Sequence, residues 1–430
     1  MERFLHRSAL FALAVLVGFA PIAAHTQALA PDNPDDPFWK LLAMVPNDDL
    51  SRGYLSYANY QAITEIFDMS GLSYEDVVAS VESGEGWSVA TLTEQGERWE
   101  SAMSLTSHSA LGFMGKATLA GMPAVLGFTS LDIRQAIVFG TPPSQGYLLT
   151  GDFDPDAIRA AFANRDYVRR EIAGIEMWCY LDDCTTGLEA DIHNLSTANI
   201  FGGALGHREP IALSPGVVMD SAALDTLQLM CTMPEGSLAG ASEYHTLAEA
   251  MTAQGTVIQV DLFPYTYVYF WDFTSSNLTP NVRERAVTSV REFGTLPPYR
   301  LFAFGHTWRD GEHYGHLMLV YDTTAEAETA ADELYQRLTH AKMLENLVGD
   351  VPGVNPMPDT YLELLSQTGE ILPAAVYEGT EGAAAVFTVR ATPSDPNDQL
   401  SVRDSSPFDP WVRLGYLNYY FLGVGFQMPD

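Results

Sequence analysis

His306, His313 and His316 stand close together in the chain and are the first residues to test for metal chemistry. With Asp310-Gly311 as a two-residue hairpin turn, Trp308 faces His313 and His306 faces Gly315 across the strands. His306, Trp308 and His313 then share one face while His316 points the other way, because side chains alternate along a strand. A three-histidine zinc site therefore fails on geometry. His306 and His313 remain as a two-histidine site that a distant carboxylate would complete, set against the plainer reading of a polar pair on a half-buried strand. Asp152, Asp154 and Asp156 alternate as in a calcium loop, but the glycine and the distal bidentate glutamate are missing, and Pro155 makes the stretch a helix start. Tyr265, Tyr267, Tyr269, Trp271 and Phe273 alternate with Thr266, Val268, Phe270 and Asp272. One strand face is thus aromatic: a platform for sugar rings or an apolar ligand if open, the core of a second domain if covered. A Gly-x-Ser-x-Gly elbow, a His-Glu-x-x-His helix, a phosphate loop and a dinucleotide fingerprint are all absent from the sequence. No cofactor is implied.

The chain opens with Arg3 and Arg7, an uncharged run from Ser8 to Ala20, and then small residues, which is the layout of a secretory signal. Cleavage after Ala28 or Ala24 is preferred to Ala30, which would leave Pro31 just past the cut. Residues 1–28 are expected as signal peptide, and no integral membrane span is expected after it is cleaved. An exported chain meets an oxidant, so Cys179 and Cys184, bracketing Tyr-Leu-Asp-Asp, are expected to form a local disulfide. Cys231 is left over as a small apolar residue.

Against 22 basic residues stand 55 acidic ones, a net charge of −33. Loss of residues 1–28 removes one acid and two arginines and leaves −34. That surface repels phosphate backbones and anionic lipid, so nucleic acid is excluded as a partner. An unknown ligand or protein is the partner class that remains, and the oligomeric state is open. Salt adaptation is one explanation of the acidity, an ordinary acidic secreted protein the other. The body is expected outside the cytoplasm, whether periplasmic, surface-bound or secreted.

The positioning elements follow from periodicity and punctuation. Tyr147 to Thr150 reads as a strand, Asp154 as a helix N-cap with Pro155 behind it, and Tyr167 to Ile172 and Ile175 to Tyr180 as a hairpin around Ala173-Gly174. Ser73-x-x-Asp76 and Thr323-x-x-Glu326 have capping-box spacing. Tyr54, Leu55 and Tyr57 lead into a helix ending near Phe67, and Leu119 to Phe128 reads as a strand. Val257 to Leu262, Tyr265 to Phe273, Tyr299 to Trp308, Tyr314 to Tyr321 and Ala383 to Ala391 read as strands, and Ala325 to Leu338 as a helix. The fold class is α+β in two domains, each a mainly antiparallel sheet with helices on one face. Residues 29–50 form a polar linker and a first apolar patch, 51–255 the first domain and 256–430 the second. A strand followed by a capped helix occurs in both halves, which suggests duplication.

Gly151-Asp-Phe-Asp with its helix, Ala173-Gly-Ile, Trp178-Cys179 and Phe201-Gly-Gly-Ala-Leu-Gly206 together resemble uncharacterised bacterial exported α+β proteins, over Leu131 to Met251. The resemblance implies an α+β fold and export, and brings no catalytic residues with it. The leading expectation is a non-enzymatic exported protein that binds a partner or ligand, or is associated with the envelope. One alternative is an exported hydrolase whose active site is assembled from distant carboxylates, which leaves no local motif. The other is a structural subunit of an extracellular assembly, marked by exposed apolar strand edges.

Overall fold

The computed structural model of the protein describes residues 25–27, 36–69, 71–82, 121–141, 144–191, 193, 195–196, 198–202, 205–233, 235–264, 296–340, 363, 366 and 369–391. Its strands are β1 His25–Gln27, β2 Leu55–Asn59, β3 Ile133–Phe139, β4 Gly146–Gly151, β5 Tyr167–Ile172, β6 Ile175–Tyr180, β7 Ile211–Ser214, β8 Val217–Ser221, β9 Thr256–Pro264, β10 Leu301–Arg309, β11 Glu312–Tyr321, β12 Gly369–Ile371, β13 Ala375–Glu378 and β14 Ala383–Ala391. Its helices are α1 Pro37–Leu42, α2 Tyr60–Ile66, α3 Tyr74–Glu82, α4 Met122–Leu126, α5 Pro155–Ala163, α6 Leu224–Thr232, α7 Ser242–Ala253 and α8 Thr324–His340.

The strands join in one 14-stranded sheet, in the order β1-β13-β14-β11-β10-β9-β2-β3-β4-β8-β7-β6-β5, with β12 beside β14. Pairing is antiparallel throughout, except that β1 runs parallel to β13. The strand order recurs. From β2 the chain makes β3 and β4, crosses through α5, and returns so that β8 lies on β4 with β7 outside it; from β9 it makes β10 and β11, crosses through α8, and returns so that β14 lies on β11 with β13 outside it. The β5–β6 hairpin extends the first unit beyond β7. The two units, expected as separate sheets, are sewn together by β2 and β9, which pair Leu55 with Leu262, Ser56 with Asp261, Tyr57 with Val260 and Ala58 with Gln259.

Local chemistry sets these boundaries where it was legible. The Asp154 carboxylate accepts the Asp156 N–H at 2.9 Å, with Pro155 at the first helical position. Ser73 and Asp76, and Thr323 and Glu326, make their reciprocal caps. Two segments differ from expectation. The stretch containing Met122–Leu126 is the short helix α4, not a strand: Gly121 and Gly127 both hold positive φ, and Pro123 suits a first turn better than a ladder. Leu55–Asn59 is the strand β2 before α2 begins, because both its edges find partners distant in sequence, β3 and β9.

Helices were expected on one face of each sheet, and packing adds a second layer. One face carries α1, α6 and α7 over Tyr57, Leu148, Met219, Val260 and Met318. The other carries α2, α3, α4 and α5 over Ala136, Leu149, Val218 and Ile258. Helix α8 covers that second face of β14, with Tyr335 set 6.4 Å from Phe387. Central strands such as β11 and β14 are apolar on both sides, so each face needs a cover.

Candidate functional site

A polar cleft opens where α1 and α2 pass the ends of β3 and β4. Two adjoining hollows of about 230 and 350 Å³ share Gln61 and Arg134. Tyr60, Thr64 and Asp152 line one; Lys40, Gln135, Thr150, Gly151 and Gly216 line the other. Arg134 is the extra residue of a β-bulge, since Ile133 pairs with Gly151 and the next pairing joins Gln135 to Thr150. A bulge bends the strand and re-aims the side chain it carries. Arg134 is thereby turned to Asp152, whose Oδ2 accepts from Nε at 3.0 Å and from Nη2 at 2.6 Å. Beside it Thr150 donates to Gln135 Oε1 at 2.7 Å, and Gln61 donates to Glu65 at 3.0 Å. The Arg134 and Asp152 side chains are 51% and 67% exposed, so donor and acceptor atoms of both signs meet water on a concave surface. The cleft can hold a polar ligand by hydrogen bonds.

A second constellation is sealed. Asp220 of β8 lies opposite Tyr147 of β4 and Ile211 of β7, and is 0% exposed. Glu209 faces it at 6% exposure, and His207 Nδ1 stands 3.1 Å from Glu209 Oε1. Burial and the neighbouring Glu209 raise the Asp220 pKa well above the usual carboxylate range. The phenol of Tyr147 is pushed up by burial and by these two acids, and that of Tyr167 to about 12, mainly by burial. Sequence reasoning missed this pair. The signal that could have found it is Pro215-Gly216, a turn between two short apolar runs that folds β7 onto β8 and brings the stretch before Ile211 alongside Asp220.

The histidines fall as the hairpin turn implies. Trp308 pairs with His313 and His306 with Gly315. His313 Nε2 and His306 Nδ1 lie 3.0 Å apart and share a hydrogen bond, and both rings are buried. On the opposite face His316 joins Thr307 at 2.7 Å and Thr388 at 3.0 Å. Burial holds His313 and His316 down to about 3, so both are neutral imidazoles in the fold. Among the described residues no group of three His, Cys, Asp or Glu side chains is placed to hold a metal ion. Next along the sheet Asp261 is buried and pushed up to about 6, chiefly by desolvation, although Tyr54 donates to it at 2.9 Å and Gln259 also donates. Tyr265, Tyr267, Tyr269 and Trp271 lie outside the described residues.

Cys179 and Cys184 are bonded as expected, closing the end of β6. Cys231 is free and half-buried, and burial raises its thiol to about 11, which disfavours the thiolate. No described helix is long and apolar enough to cross a membrane.

No family model matches the chain, and no curated protein matches it. Among solved structures it is similar to crystal form I of TP0453, a Treponema protein, at 10% identity and a TM-score of 0.29, over 85% of this chain and 96% of that one.

Proposed function

We propose that this is an exported, non-catalytic binding protein that takes a small polar ligand in the cleft around Arg134 and Asp152. The observation that carries the reading is the bulge at Arg134: it breaks the β3–β4 register where an exposed ion pair, two glutamine amides and a threonine hydroxyl line a hollow. Fixed donors and acceptors in equal measure suit a ligand rich in hydroxyls or carrying both charges. Export accords with the Cys179–Cys184 bond and the signal-like N-terminal residues. The division of the body at Gly255 into two domains of like strand order belongs to the same reading.

The hydrolase alternative has a carboxylate pair in Glu209 and Asp220, but burial denies it a substrate. Against an assembly subunit, the described sheet ends at β5, where exposed Arg169, Arg170 and Glu171 outnumber the exposed apolar Val168 and blunt that edge. Screening the mature protein against glycan and hydrolase-substrate panels tests the choice. Saturable binding without turnover, lost in Arg134→Ala, is expected; turnover that survives Arg134→Ala would sink the proposal.

A further inference from the structure

Asp220 is wholly buried, and among the described residues no donor reaches either of its oxygens; one oxygen of Glu209, Oε2, is likewise without a donor among them. Two ionised carboxylates facing each other in an apolar interior, where repulsion is several times that in water, are not a stable arrangement. One proton between them turns the repulsion into a short hydrogen bond. Among the described residues no cation is seated on Asp220. From β4 comes Tyr147 and from β5 Tyr167, both neutral phenols; β7 presents Ile211, and α5 packs Ile158 and Phe162 into the same core. Arg208 pairs with Asp191 through Nη2 and lies over the Tyr180 ring at 4.1 Å, its buried Nε without an acceptor among the described residues, and Arg165 lies over Tyr167 at 5.3 Å. His207 Nδ1 meets Glu209 Oε1.

The stretch that delivers Glu209 is pressed onto the sheet at the same spot. Gly202 holds φ +65°, and a Cβ there would overlap Glu209 Oε1, so backbone rests directly on the carboxyl group. Phe201 is anchored in the core behind it, with Tyr147 6.0 Å away, whereas Leu205 at the far side is 62% exposed.

We propose that Glu209 and Asp220 share a single proton and act as a latch, which holds the stretch carrying Phe201, Gly202, His207 and Glu209 against the sheet and releases it when the proton is lost. Opening tied to one proton grows by about tenfold per pH unit above the ordinary carboxylate range, where the opened acids are already ionised, and levels off where the closed pair itself loses its proton. The release would expose Phe201 and Tyr147 beside Leu205, so that alkaline conditions uncover an apolar surface closed in acid.

Hydrogen exchange of the full chain, corrected for the intrinsic pH dependence, tests this from mildly acid to alkaline pH. Peptides carrying Phe201 and His207–Glu209 are expected to lose protection steeply as pH rises, while β10 and β11 hold theirs. In Asp220→Asn the amide donates to Glu209 as the proton did, so the loss should vanish; Glu209→Gln serves the same purpose if that variant does not fold. Protection that stays flat in the wild type, or an equal loss in the folded variant, overturns the latch. An infrared spectrum of the wild type that shows no protonated carboxyl band at neutral pH, where Asp261 has ionised, overturns it without any variant.

Discussion

His316 bridges Thr307 and Thr388 in the closed interior between β10, β11 and β14, and its neutral ring is the form that fits. In the unfolded chain the same ring takes up a proton near pH 6.5, but in the fold only near 3, for the reason of burial first and of nearby His306 and Arg309 second. His313 behaves alike. The unfolded state therefore binds protons first as pH falls, and stability is lost from about pH 6.5 downward. Asp261 works in the opposite sense: raised to about 6, it contributes most below the ordinary carboxylate range and loses that contribution as pH climbs from about 4 to 6. His316→Leu should cost about 1–3 kcal/mol at pH 7, since two buried hydroxyls lose their common partner. The deficit should shrink at pH 5, where the wild type alone bears the cost of keeping that imidazole uncharged, and urea unfolding at the two values would measure it. Which histidine faces which side was legible from the turn at Asp310-Gly311 alone. That His316 would be fully satisfied was not, because Thr388 arrives from a strand far along the chain.

At the scale of elements, α4 and α5 touch where Gly127 ends the former. A Cβ at Gly127 would stand 2.5 Å from the Ala157 carbonyl oxygen, and its φ is +78°. Gly127→Ala combines left-handed strain with overlap, and a loss of more than about 1 kcal/mol is expected in thermal unfolding. On the other side of the sheet, Glu249 of α7 clasps the turn between β13 and β14: Oε2 accepts the Thr380 N–H at 3.0 Å and Oε1 its hydroxyl at 3.1 Å. Glu249→Ala should cost about 1–3 kcal/mol and quicken amide exchange at Thr380 before any other strand loosens. Capped helices and turn-bounded hairpins such as β5–β6 could be read from sequence because their determinants are neighbours. Strand β2 could not. Its Leu-Ser-Tyr-Ala-Asn is short and ambiguous, and what makes it a strand is a partner on each side distant in sequence. The bulge that aims Arg134 is equally silent, since it is a property of the register of two strands and not of either one.

For the whole molecule, a charge of −33 opposes compaction by self-repulsion that salt screens within about 10 Å at 0.1 M. The melting temperature should rise on going from low salt to a few tenths molar, as followed by circular dichroism, and a fall would show that specific surface ion pairs such as Arg300–Asp322 outweigh the general field. The acid excess was plain from composition; the continuity of the sheet was not, because a boundary at Gly255 looks the same whether or not strands pair across it. That continuity means that neither unit ends where its own chain ends. Separated at Gly255, one fragment would present the unpaired margin of β2 and the other that of β9, each with apolar side chains on view. Such fragments should be poorly behaved alone and should rescue one another when produced together, in the manner of a split reporter whose pieces regain one body by restoring a missing border.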